Sequence, residues 1–335
     1  MTDLTPHAAA RPVAGPAAGM PQSAGRPGEA AGASDKGVPP PAPDKGESLL
    51  RRHVSSFFES WSAIIGLVLL VASVAAALLA PWFAPQDPYD LANLSIMDNM
   101  LPPGEIFGMG QTAYLGTDDQ GRDMLSAILY GLRVSLTVGA SSVLIAAVIG
   151  ASLGVLAAYA GGRVESFVMR VVDLQLSFPA ILVALVLLAV FGRGVDKVVI
   201  ALVVVQWAYY ARTVRGSALV EKRREYIEAA RCLALPRRRI VFRHLLPNCI
   251  PPLIVVATVQ IANAIALEST LSFLGVGVPV TEPSLGMLIA NGYGYLLSGN
   301  YWISTFPGVA LVIVIVAINL VGDRLRDVLN PRLAK

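Results

Sequence analysis

Six long apolar stretches divide the chain, and nearly all of its charged residues fall between them. The stretches lie at about 63–83, 136–160, 174–191, 198–210, 252–273 and 306–321, and only the fifth carries a charge, Glu268. Roughly twenty apolar residues in helical form cross a hydrocarbon core of about 30 Å. The pattern therefore predicts an all-α, polytopic membrane helical bundle with six transmembrane helices. Pro179 lies inside the third stretch and is expected to kink it. The fourth is short unless it starts near Val195, and Trp207, Tyr209 and Tyr210 suit an interfacial belt at its end.

The polar positions set the sidedness. Arg51, Arg52, Arg163, Arg170, Arg324, Arg326, Arg332 and Lys335 fall on one side of a six-span threading, with the dense segment from Arg212 to Arg243. The other side holds only Arg122, Arg133, Arg193 and Lys197, and residues 276–305 hold no Lys or Arg. Excess Lys and Arg mark the cytoplasmic side, so both termini are expected there, in an inner (plasma) membrane. Residues 1–46 are rich in Ala, Pro and Gly, and such a segment buries too little apolar surface to order itself; a disordered cytoplasmic tail is expected. It has no short apolar region of the secretory kind. The predicted organisation is this tail, then 47–132 with the first span and an external segment. A core membrane domain at 133–322 and a cytoplasmic tail at 323–335 follow.

Composition agrees: 55% of residues are hydrophobic and 15% charged, too few charges for a water-facing surface. Neither a disulfide nor a metal centre is expected. The two cysteines, Cys232 and Cys249, are placed in a reducing compartment, and His7, His53 and His244 are scattered. No Gly-Lys-Ser or Gly-Lys-Thr phosphate loop occurs, so no nucleotide is expected to bind directly. Gly275-Val-Gly277 reads as a turn after a span, and Asn93-Leu-Ser95 is a sequon of a kind common by chance.

The basic segment reads as two short helices. Residues 218–234 contain good helix formers, with Ile227, Ala230 and Ala234 at helical spacing. Pro236 ends that helix and suits the first turn of a second over 236–246, after which Pro247 is expected to break the chain again. A basic helix pair lying on anionic lipid would look much the same. The order Glu228-Ala229-Ala230, Ile240, Leu246-Pro247 between two spans is more specific. That order, with Tyr226 before it, resembles the EAA loop of binding-protein-dependent ABC importer permeases, and Ala234 falls within the loop so identified.

Within that family the chain is similar to the C-type subunits of dipeptide, oligopeptide and nickel importers. Leu115-Gly-Thr-Asp-Asp-Gln-Gly-Arg-Asp123, Leu271-Ser-Phe-Leu-Gly-Val-Gly277, Pro283-Ser-Leu-Gly286, Phe306-Pro-Gly308 and Asn319 to Arg332 carry the likeness. It implies a type I ABC importer permease fold and a loop coupling the chain to separate ATPases. The expected partners are a homologous second permease, two ABC ATPase subunits that use the ATP, an external solute-binding protein and membrane lipid, with no nucleic acid. The implied cargo is di- or oligopeptides, with nickel or glutathione as alternatives. The family usually has glycine where this chain has Ala234. Alanine costs about 1 kcal/mol in a left-handed conformation, and Leu235-Pro236 is the expected substitute for the turn.

Gln260, Asn263, Glu268 and Thr270 share less than half the circumference of the fifth helix. They are candidates for a polar face on a translocation path, or for hydrogen bonds between helices. Asp118, Asp119, Arg122 and Asp123 read as a structural ion-pair turn without a nucleophile or base beside it. The rival class is an ion-coupled secondary transporter, for which only Glu268 offers an intramembrane acid and which leaves the loop unexplained. A membrane enzyme lacks a catalytic constellation.

Overall fold

The computed structural model describes residues 55–90, 94–108, 110–279 and 281–329. The expected tail at 1–46, His7, His53, Arg51, Arg52, Asn93, Arg332 and Lys335 lie outside them.

Nine helices carry the fold among these residues. They are α1 (Trp61–Phe83), α2 (Met124–Ala160), α3 (Gly162–Ser177), α4 (Ala180–Phe191), α5 (Val195–Glu221), α6 (Glu225–Cys232), α7 (Arg237–Phe273), α8 (Leu285–Tyr293) and α9 (Trp302–Leu329). Five of them, α1, α2, α5, α7 and α9, are long and apolar enough to cross a membrane, and the bent pair α3–α4 makes a sixth if counted as one span.

The apolar stretches are thus where the helices are, but the helices overrun them. The second starts at Met124 rather than near 136, because Asp123 caps it by accepting from the Ser126 amide at 2.7 Å. The fourth starts at Val195 and runs on through Arg212 and Arg215 to Glu221. The last continues to Leu329, well into the expected C-terminal tail.

The third stretch, 174–191, is corrected most. It is not one kinked helix: α3 and α4 meet at 92°. Phe178 precedes Pro179 and is held extended (φ −90°, ψ 141°), since a residue before proline avoids the helical region. At 1.5 Å per residue α4 reaches only about 18 Å, too short to cross alone.

Packing is set by small residues. A Cβ on Gly150 would lie 2.3 Å from the Trp207 carbonyl oxygen, and one on Gly154 2.6 Å from that of Ala211. The glycines four residues apart therefore let α2 and α5 touch backbone to backbone, the usual device for helix pairs in lipid. Val138, Leu202 and Leu271 fill the core between α2, α5 and α7, and Leu132, Ile265, Leu288 and Trp302 fill that between α2, α7, α8 and α9.

A folded segment leads from α1 to α2. It contains a two-stranded antiparallel ribbon, β1 (Ile106–Phe107) and β2 (Gln111–Thr112), and the turn at Asp118–Asp123. Gln86 ties it to the start of α2: its Oε1 accepts from the Asp123 amide at 2.9 Å. Its own amide donates to Ser126 Oγ at 3.1 Å.

Candidate functional site

The basic segment sits at one end of the bundle and is clamped to the long helices. Helix α5 ends at Glu221, and Lys222 Nζ donates to the carbonyls of Ala158 (2.9 Å) and Tyr159 (3.2 Å) at the end of α2. The same ammonium lies 5.7 Å from the Tyr159 ring centroid. Cations at a helix C-terminus satisfy its last carbonyls and its dipole. A turn at 222–224 then separates α5 from α6, so the single helix expected over 218–234 is two.

Helix α6 turns Ile227 and Ala230 inward against Ile240, with Tyr159 and Leu235 beside them. It ends in a Schellman motif. The Leu235 amide donates to the Ala230 carbonyl at 3.1 Å, and the Ala234 amide to that of Arg231 at 2.9 Å. Ala234 takes φ +52°, so alanine itself adopts the left-handed conformation, and Leu235-Pro236 does not replace it.

Helix α7 corrects the other loop expectation. Residues from Arg237 run without a break into the span, and Pro247 does not end the helix. Ile240–Leu245 form a π-helical turn just before Pro247. A proline ring clashes with the carbonyl four residues back, and a widened turn moves that carbonyl aside. Asn248 Nδ2 donates to the His244 carbonyl at 2.6 Å and to Tyr226 Oη at 3.0 Å. The Tyr226 hydroxyl donates to Glu221 at 2.7 Å. Burial and the Glu221 carboxylate push the Tyr226 phenol up to about 12, so it stays protonated and keeps donating.

The sequence candidates therefore divide. Ala230 and Ile240 are buried supports, Leu246 is half-buried against the cluster of Val155, Val214 and Leu245, and Tyr226 is a strut. Glu228, Ala229 and Ala234 are exposed, and Pro247 is exposed on α7. Leu233 and Phe242, which sequence reasoning passed over, are 74% and 67% exposed beside them. No side chain donates to Glu228, and no cation lies within ion-pair distance of it, among the described residues. The arrangement offers two exposed carboxylates three residues apart, Glu225 and Glu228, and a small apolar surface on a rigid base.

Two ion pairs brace that base, and neither was legible in the sequence. Arg215 donates to Glu165 at 2.9 Å through Nε, and Arg212 to Asp173 at 2.5 Å. Both tie α5 to α3. The only hint available was that Glu165 and Asp173 are the only acids between the second and third apolar stretches.

The four polar residues of the fifth span do not form one open face. Glu268 is fully buried and accepts from Ser135 (2.9 Å), Ser272 (2.8 Å) and Ser269 (3.3 Å). Ser135 belongs to α2, so this carboxylate ties α2 to α7. Gln260 is buried and accepts from Asn263 Nδ2 at 2.8 Å, while Asn263 is exposed. Thr270 is exposed and bonds back to the Ala266 carbonyl. At the other end of the bundle, Arg122 and Asp118 form the buried ion pair of the expected structural turn. Gly275 sits at φ +77° after α7, as a turn. Cys232 and Cys249 are both free.

A multi-span helical bundle with a braced, outward-facing helical loop between two spans is the architecture of an importer permease. The chain belongs to the family described as the binding-protein-dependent transport system inner membrane component, whose model matches residues 150–335. Residues 48–103 match the N-terminal TM domain of oligopeptide transport permease C. A putative peptide transport system permease protein of Brucella suis is 42% identical over 87% of this chain and 95% of its own length. The di/tripeptide transport system permease DppC of Pseudomonas aeruginosa is 37% identical over 90% and 96%. The dipeptide permease DppC of Escherichia coli is 39% identical over 83% and 91%. The fold is also that of a chain of the MetNI methionine ABC transporter in an inward-facing conformation, with a TM-score of 0.52 and 25% identity, covering 62% of this chain and 98% of that one. The protein is thus a multi-pass inner-membrane transport component of type I importer permease fold.

Proposed function

We propose that this chain is one of two permease subunits of an ATP-driven importer and that its cargo is a di- or oligopeptide. One of two ABC ATPases docks on α6 and the other on the second permease, the two hydrolyse the ATP, and a solute-binding protein delivers cargo at the opposite end. Both termini then face the cytoplasm. The observation that carries this reading is the exposed Glu228–Ala229–Leu233 edge, held on a base of Ile227, Ala230 and Ile240. A helix that buries one face against its own protein and offers a carboxylate and small apolar groups on the other is fitted to a protein groove. Lipid would select the cations instead. Movement of the docked ATPases passes through α6 into α5 and α7, which begin and end at the loop, and the bundle rocks between two openings.

Asn263 and Gln260, one exposed and bonded to the other, are the residues of α7 that we assign to the path. Glu268 has a positioning role. Its serine cage also weighs against the ion-coupled alternative, which needs an acid in contact with an aqueous route. The peptide assignment rests on the named relatives, and nickel and glutathione are its competitors.

Reconstitution of this chain with the permease, ATPases and binding protein of its own system tests the reading. Uptake of labelled di- or oligopeptide that requires ATP and binding protein is the expected result. Uptake of nickel or glutathione alone would replace the cargo, and ATP-independent uptake driven by a proton or sodium gradient would overturn the class.

A further inference from the structure

We propose that a cavity beneath the coupling loop binds a phosphate group, supplied by an anionic lipid headgroup or by free phosphate. The cavity measures about 600 Å³ and lies between the end of α2 and the loop. Lys222, Arg231 and Arg237 line it together with Tyr159, Leu235 and Ile240. Three cations surround one space, and no acidic residue lines it.

The exposed Glu225 and Glu228 of α6 do not line the cavity, and the other acids nearby are engaged. Glu165 is held by Arg215, Asp173 by Arg212, and Glu221 by Tyr226 and Arg224. Neither Arg231 nor Arg237 lies within ion-pair distance of an acid among the described residues. Lys222 spends two of its three protons on the carbonyls of Ala158 and Tyr159 and keeps the third. Like charges around a shared cavity repel unless an anion sits among them. Two guanidinium groups and an ammonium suit a phosphate, whose oxygens accept paired N–H bonds.

The apolar side of the lining favours the lipid as source. Tyr159 ends a membrane span, and Leu235 and Ile240 offer contact to the glycerol and upper acyl region rather than to water. A cytoplasmic leaflet is anionic and attracts such clusters. A bound headgroup would bridge α2, the Schellman turn and the start of α7. It would stiffen the loop on which the exposed Glu228 stands. The inference rests on the membrane placement given above but not on the identity of the cargo or the ATPases.

The test uses the full-length chain in phosphatidylcholine nanodiscs containing some phosphatidylglycerol, with retained lipid counted by native mass spectrometry. Arg231→Gln with Arg237→Gln should lower retained phosphatidylglycerol at least about tenfold, from the loss of two charge-assisted contacts. Arg238→Gln with Arg239→Gln removes the same charge from exposed neighbours that do not line the cavity, and should change retention little. All four side chains are exposed, so folding should survive, and circular dichroism checks it. Inorganic phosphate, titrated into nanodiscs of phosphatidylcholine alone, separates the sources. Saturable phosphate binding lost in the Arg231/Arg237 variant, without lipid retention, supports the site and assigns it to soluble phosphate. Equal loss in both double variants would mean diffuse attraction and would overturn the proposal, as would no binding of either probe to the unmodified chain.

Discussion

Arg122 Nε donates to Asp118 Oδ2 at 2.7 Å, and the two side chains are 1% and 0% exposed. Asp118 accepts further from the amides of Gln120 and Arg122, both at 2.9 Å, so the pair is bound into the backbone of its own turn. That turn carries Thr117, whose carbonyl accepts from Trp302 Nε1 at 3.1 Å, and it leads into Asp123, the cap of α2. The turn closed by this ion pair thus touches α9 and leads into α2.

Removing one partner of such a pair leaves the other charge buried without compensation, a loss of about 3–5 kcal/mol. Arg122→Ala and Asp118→Asn should each lower the thermal stability of the purified chain and its folded yield in membranes. Transport per folded molecule should fall less than the yield does. An Arg122→Ala protein that melts with the unmodified one would show that the pair holds nothing together.

Asp119 gives the same turn a pH dependence. Its carboxyl is raised above the ordinary 3.8, first by burial and then by the Asp118 charge, against the opposing effect of Arg122. The folded turn therefore holds this proton more tightly than the unfolded chain does. The resulting stability is complete below 3.8 and is lost as pH rises through the elevated folded value. Asp119→Asn should remove that loss, flattening the pH profile of thermal stability and raising it at neutral pH. Superimposable profiles for the two proteins would contradict this.

The turn at Ala234 can be tuned in both directions. A left-handed alanine costs about 1–2 kcal/mol relative to the right-handed conformation, and glycine avoids that cost at some expense in unfolded-state entropy. Ala234→Gly should therefore be neutral to about 1 kcal/mol stabilising. Ala234→Val should be clearly destabilising, because a branched side chain fits positive φ poorly. Hydrogen exchange at the Leu235 amide, which closes the Schellman motif, reads the effect locally. Slower exchange in the valine variant would refute the assignment.

The sequence made legible much of what depends on continuous patterns along the chain. Continuous apolar runs marked the spans, and the Glu228-Ala-Ala order marked α6. Helix ends were misjudged where local bonds decide them, as with the Asp123 cap, or where an unusual turn accommodates a proline, as at Ile240–Leu245 before Pro247. The Pro179 kink was anticipated in place but not in size: the two helices meet at 92° because Phe178 leaves the helical region altogether. Glu268 could not be placed from its own helix: its partner Ser135 is 133 positions away. The same holds for Lys222, whose role depends on carbonyls more than sixty positions earlier.

Glu228 is where the proposed function meets a single side chain. It is exposed, has no ion-pair partner among the described residues, and stands on a helix whose other face is buried. A carboxylate in a protein contact accepts charge-assisted bonds of about 1.5–3 kcal/mol each. Losing one should weaken ATPase docking roughly ten- to a hundredfold. Glu228→Ala and Glu228→Lys should insert and fold nearly normally, because the side chain has no hydrogen-bond or ion-pair partner among the described residues and its first-turn position on α6 is worth only about 0.3–1 kcal/mol. Uptake should fall, and the ATPases should co-purify poorly or stop responding to loaded binding protein. Arg224→Ala, whose guanidinium lies 3.7 Å from Glu221, alters charge at the same loop without removing a docking carboxylate, and should do less. Subunit stoichiometry and ATPase activity, each with and without binding protein, decide the matter. A Glu228→Ala complex with full stoichiometry and undiminished coupled activity would remove the glutamate from the interface and leave docking to Leu233, Phe242 and the exposed alanines.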